Sequence, residues 1–196
     1  MEIKSVFCVL LLLVSMTLNS QNIVNKSLKI GGGFGLSESD NCTGMGTLYS
    51  LGYQQDIWKD RLRFNPNFSL GFYSPVFITD LPDQYFNSIN LNANLNFDII
   101  KIGWFSLIVY AGAETGIVQG YVETGGGVPS LSNTNSYYSI GSHYVHDYHI
   151  GGDFGGGFRI NSKKQKIAVN ILPLNLRVGY PNFIETYWKL ELDVKI

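Results

Sequence analysis

Ile89-Asn90-Leu91-Asn92-Ala93-Asn94-Leu95-Asn96-Phe97-Asp98-Ile99 places an apolar residue at every odd position and a polar one at every even position. Successive side chains of a strand point to opposite faces, whereas a helix returns to the same face every three to four residues. The stretch therefore reads as a strand with one apolar and one polar face. Outward from it the same period recurs. Leu28, Ile30, Phe34 and Leu36 share a face in the first segment. In the second, Tyr49, Leu51, Tyr53 and Ile57 oppose Ser50, Gly52, Gln54 and Asp56, and in the third Leu62, Phe64, Phe68, Leu70 and Phe72 oppose Arg61, Arg63, Asn65, Asn67 and Ser69. The fifth sets Phe105, Leu107, Val109, Ala111, Ala113 and Ile117 against Ser106, Tyr110 and Glu114. The sixth sets Tyr148, Ile150, Phe154, Phe158 and Ile160 against Asp147, His149, Asp153 and Arg159.

The seventh segment, near Ile167 to Tyr180, contains Pro173, which has no N–H to give a ladder and predicts a bulge with a change of face. Beyond it Leu174, Leu176 and Val178 oppose Asn175 and Arg177. The last segment sets Trp188, Leu190, Leu192, Val194 and Ile196 against Lys189, Glu191, Asp193 and Lys195. Eight strands are expected, and no run of 18 apolar residues follows Gln21. Short connections near Lys59-Asp60, Lys101–Gly103 and Asn161–Lys164 alternate with loops at residues 37–44, 75–84, 122–143 and 181–185. That spacing describes an up-and-down meander.

The N-terminus reads differently. One Lys precedes the apolar run Val6–Val14, and the polar stretch Ser15–Gln21 follows it. This is the layout of a secretory signal, too short to cross a bilayer as a helix, and it assigns residues 1–20 to a signal peptide and 21–196 to the barrel domain. Removal of the signal leaves Cys42 as the one cysteine, read as an exposed thiol in the first loop, and excludes an internal disulfide.

Alternation alone does not say which face is outside. Charged residues are 15% of the 196, against about 25% in soluble domains, while apolar residues are 45% and aromatics 14%. The polar positions are mostly Asn, Ser, Gly and Gln, which suit a crowded lumen. Trp58, Trp104 and Phe105 lie toward the short turns, and Phe72, Tyr121, Tyr144 and Tyr187 toward the loops, as two interfacial girdles would. The expected fold is all-β, an eight-stranded antiparallel up-and-down transmembrane β-barrel. A net charge of −1 excludes general nucleic-acid binding.

On these features the chain resembles the small eight-stranded outer-membrane barrels of the OmpA-transmembrane and OmpX type, and its Leu18-Asn19-Ser20-Gln21 segment resembles signal ends of Bacteroidota. The resemblance implies residence in the cell outer membrane of a Gram-negative bacterium, contact with outer-membrane lipids, insertion by the outer-membrane assembly machinery, and a monomer. Family members commonly end on an aromatic residue, whereas this chain ends on Ile196.

With the apolar face outward, Arg61, Arg63, Asp98, Glu114, Asp153, Arg159, Arg177, Lys189, Glu191 and Asp193 are expected to point into the lumen as a structural network of paired charges. No cofactor, metal or catalytic residue is expected. His143, His146 and His149 lie beside Asp147 and Asp153, but strand parity turns His146 away from the other two. Gly31-Gly32-Gly33-Phe34-Gly35 and Gly155-Gly156-Gly157 complete no phosphate-binding motif. The expected role is non-catalytic, in envelope integrity or in surface interaction through residues 122–143. Two alternatives stand beside it: a soluble lipocalin-like barrel with the apolar face inside around a small apolar ligand, and an outer-membrane lipid-modifying enzyme drawing on Ser142, His143 and His149.

Overall fold

Two-residue periodicity recurring along the chain leaves each hairpin with an apolar face to cover and an edge to pair, and closure into a barrel removes the edges. The computed structural model describes residues 25–39, 42–58, 61–75, 85–124, 141–162 and 166–196. Within them run β1 (Lys26–Ser39), β2 (Cys42–Trp58), β3 (Leu62–Pro75), β4 (Tyr85–Ile102), β5 (Phe105–Thr124), β6 (Gly141–Asn161), β7 (Ile167–Tyr180) and β8 (Phe183–Lys195). Each pairs antiparallel with the next, and β1 pairs with β8 to close the barrel. The signal peptide lies outside the described residues.

The apolar face is outside. Leu51, Leu91 and Ile150 are about 60% exposed, while Asn90, Asn92, Asn94, Asn96 and Asp98 on β4 are buried within the lumen. This corrects the lipocalin-like alternative, which needs the apolar side chains inside. An apolar exterior around a polar interior is stable in hydrocarbon, where the outer side chains lose nothing by exposure.

Several expected loops are shorter than their composition suggests. Ser37–Ser39 and Cys42–Gly44 continue the β1–β2 ladder, with Ser37↔Gly44 and Ser39↔Cys42 in register. Val122–Thr124 pair with Gly141–His143, and Phe183 to Glu185 belong to β8. Gly, Ser and Thr favour turns locally, but pairing to an adjacent strand overrides that preference. The β7–β8 connection is reduced to Pro181 and Asn182, with a cis Tyr180–Pro181 bond and Asn182 at φ 36°. Asn tolerates this left-handed conformation well.

The Pro173 expectation matches the structure. Ala168, Asn170 and Leu172 face inward before it, Asn175 and Arg177 after it, and the β7–β8 register shifts between Leu172 and Asn175. Of the girdle aromatics, Trp58, Trp104, Phe72, Tyr121 and Tyr144 are exposed on the wall, with Tyr121 and Tyr144 rings 5.2 Å apart. Tyr187 is a correction: it is buried, because it shares parity with Lys189 and Glu191 on β8.

Candidate functional site

The lumen side chains form three layers along the barrel axis. At the turn end, Arg63 on β3 grips both carboxylate oxygens of Asp98 on β4. Beside this pair Arg159 Nη1 donates to Asp193 Oδ2 at 2.6 Å, and Gln54 Nε2 donates to the same oxygen at 3.2 Å. In the middle layer, Glu191 accepts from Lys29 Nζ at 2.6 Å and Lys189 Nζ at 2.8 Å.

Arg177 is the hub of the loop-end layer. Its Nη1 lies 2.6 Å from Glu185 Oε2, its Nε 3.2 Å from Glu114 Oε2 and 3.9 Å from Asp153 Oδ1, and its Nη2 donates to Ser69 Oγ at 2.9 Å. The guanidinium also lies over the Tyr187 ring, 4.6 Å from its centre. Tyr73 donates to Glu185, Tyr187 Oη donates to Asp153 Oδ1 at 2.8 Å, and Asn92 Nδ2 donates to Glu114 Oε2 at 3.0 Å and Asp153 Oδ2 at 2.9 Å.

Nine of the ten expected lumen charges are thus buried and drawn into ion pairs or hydrogen bonds. Arg61 is the correction. It lies exposed in the turn before β3, its N–H bonded to Trp58 O at 2.9 Å, because the strand and its parity begin only at Leu62. Sequence reading missed Lys29 and Glu185. Lys29 has the parity of Ser27 and Ser37 opposite Leu28 and Ile30, a signal that was available; Glu185 was hidden by its assignment to a loop.

Apolar side chains also enter the lumen. Cys42, Tyr73, Phe86, Val118 and Phe183 pack together at the loop end, with Tyr73 and Phe86 stacked at 5.1 Å. Cys42 is therefore buried rather than exposed, its Sγ 2.9 Å from Ser39 Oγ. Cavities among the lumen charges are about 30 Å³ at the turn end and about 10 Å³ in the middle, room for a water or two.

Asn175 repairs the bulge. Its Nδ2 donates to the carbonyls of Leu172 at 2.7 Å and Tyr187 at 2.8 Å, on either side of the register shift, and its Oδ1 accepts from Tyr110 Oη at 2.8 Å. Gly155 makes this meeting possible: a Cβ there would lie 2.4 Å from Asn175 Oδ1 and 2.6 Å from the Tyr110 ring. That is the work of one glycine in the 155–157 run. Asn175→Leu is expected to cost about 1–3 kcal/mol, because buried carbonyls lose their donors. Urea unfolding of the refolded barrel measures it, and an unchanged midpoint would show that water replaces the amide.

The histidines do not converge. His149 is buried and stacks on Phe183 with ring centres 3.8 Å apart, while His146 is exposed on the wall with Nε2 2.9 Å from Tyr148 Oη. The side chains of Ser142 and His143 lie outside the described residues. Among the described residues no three of His, Cys, Asp and Glu gather as a metal site.

No protein-family model matches this sequence, and no curated protein is significantly similar to it. Solved structures are similar in fold. Neisserial surface protein A superposes with a TM-score of 0.56 at 14% identity, over 87% of this chain and 97% of that one. Ail, the attachment invasion locus protein of Yersinia pestis, gives 0.51 at 14% identity over 88% and 98%. A major outer membrane protein of Thermus thermophilus gives 0.57 at 8% identity over 89% and 100%. The chain has the fold of the small outer-membrane β-barrels, with an exterior built for hydrocarbon.

Proposed function

We propose that this protein is an integral outer-membrane barrel with a non-catalytic role in envelope integrity or surface interaction. The observation that carries this reading is the pairing of an apolar wall with a lumen filled by mutually paired charges. Such a molecule is held by outer-membrane lipids and offers little interior for transport. Both termini and the short turns face the periplasm, the assembly machinery of the outer membrane inserts the chain, and it works as a monomer.

The β5–β6 hairpin supports the surface role. β6 pairs with β5 as far as Gly141↔Thr124, but with β7 only as far as Ile150↔Tyr180. Residues 141–149 therefore extend the hairpin past the last β6–β7 register pair. The segment 122–143 would be presented outside the cell at its tip.

Cell fractionation and gel electrophoresis with and without boiling in detergent test the reading. The expected result is outer-membrane retention, a boiling-dependent mobility shift, and no steady ion conductance when the purified barrel is added to planar bilayers. A soluble periplasmic protein, or stable conducting channels, would overturn it.

A further inference from the structure

At the loop end of the lumen, polar atoms from three strands converge on a missing side chain. Asn90 on β4, Gly116 on β5 and His149 on β6 are direct cross-strand neighbours on the inner face. A Cβ at position 116 would lie 2.0 Å from Asn90 Oδ1 and 2.7 Å from His149 Nε2, so it is the glycine that lets these two side chains close over β5 toward each other. Glu114, two residues along β5, brings its Oε1 to 3.8 Å from His149 Nε2. All three side chains belong to residues no more than 4% exposed. Yet Asn90 Oδ1, Glu114 Oε1 and both ring nitrogens of His149 have no hydrogen-bond partner among the described residues. Ten other buried side-chain atoms of the described lumen also lack a hydrogen-bond partner, so it is the gathering of four in one place that points to a ligand.

Charge points the same way. Arg177 faces the three carboxylates of Glu114, Asp153 and Glu185, so this layer carries two more negative than positive charges when all are ionised. Protons on the carboxylates or a bound cation would balance it.

We propose that His149 Nε2, Glu114 Oε1 and Asn90 Oδ1 form a site for one divalent transition-metal cation of the zinc, cobalt or nickel kind. Imidazole, carboxylate and amide oxygen make a borderline donor set suited to these ions. A nitrogen and an oxygen 3.8 Å apart both reach a common centre at about 2.1 Å. Phe183 holds the imidazole plane, at 13° to its own. Entry is through a loop-end cavity of about 290 Å³ lined by Ser39, Asp147, His149 and Phe183.

Equilibrium dialysis of the refolded barrel against zinc, with the metal counted per chain, tests the site. Wild type and His146→Ala are expected to take up about one zinc at micromolar concentration. His149→Phe preserves the stack on Phe183 but lacks the nitrogen, and is expected to keep the boiling-dependent gel shift while its affinity falls at least about ten-fold. Asn90→Ala removes one donor and Glu114→Gln replaces the anionic donor with a neutral amide oxygen, and both provide the same reading should His149→Phe not fold. Absence of zinc uptake by wild type would overturn the proposal, leaving water and protons to satisfy these groups. Undiminished uptake by the donor variants would overturn it equally, by placing the metal elsewhere.

Discussion

Arg177→Met lowers the stability of the folded barrel by about 3–5 kcal/mol, the largest loss expected from one lumen substitution. Arg177 is fully buried, and its guanidinium faces Glu114, Asp153 and Glu185 while resting on Tyr187. Methionine fills much of the volume but leaves three carboxylates in a dry lumen without their cation. The effect is a penalty for the stranded anions rather than the net worth of the ion pairs, since forming buried pairs also costs desolvation. Combining Arg177→Met with Glu185→Gln removes one stranded charge and is expected to recover part of the loss, a coupling that a double-mutant cycle reads directly. Exposed Arg61 is the control, and Arg61→Gln is expected to stay within about 0.5 kcal/mol of wild type. Urea unfolding in phospholipid vesicles, followed by tryptophan fluorescence, measures wild type, Arg177→Met, Glu185→Gln, their double variant and Arg61→Gln. An unchanged midpoint for Arg177→Met together with new conductance would show that Arg177 gates a path instead of holding a plug.

Leu190→Arg on the opposite face costs about 2–4 kcal/mol in vesicles. Leu190 lies at mid-height on β8, points outward and is 48% exposed. With lipid around it, an arginine there must thin the bilayer or draw water to its guanidinium. Ile57→Arg, near the turn end beside exposed Trp58, is expected to cost only about 0–1 kcal/mol, since the charge reaches the interface. A depth-dependent difference is the signature of a bilayer. Equal, small effects at both positions would mean that the wall faces water.

Much of this architecture is legible along the chain. The period of two at Ile89–Ile99, repeated with small variations, dictates strands, and the excess of Asn and Ser over charged residues on the polar face tells inside from outside. Pro173 marks its own bulge, because the missing N–H is a property of the residue. Parity likewise assigns Arg63, Asp98, Asp153, Arg159 and Arg177 to the lumen, since each sits within a regular run.

Where local composition competes with pairing, reading along one strand fails. Ser37–Ser39 and Cys42–Gly44 look like loop because Gly, Ser and Thr prefer turns in isolation, and Phe183–Glu185 because they follow Pro181 and Asn182, yet an adjacent strand pairs with each and extends it. Cys42 is buried for that reason, and Arg61, just beyond the last paired residue, is exposed. Which charges meet is a further step removed. Arg159 finds Asp193 across two strand boundaries, Lys29 finds Glu191 only through closure of β1 on β8, and Gly116 matters through neighbours on β4 and β6. Alternation is a local property of a backbone pleat, so one strand suffices to establish it. Partnership across a lumen depends on strand register and on the ring closing, and these arise only when all eight strands are paired.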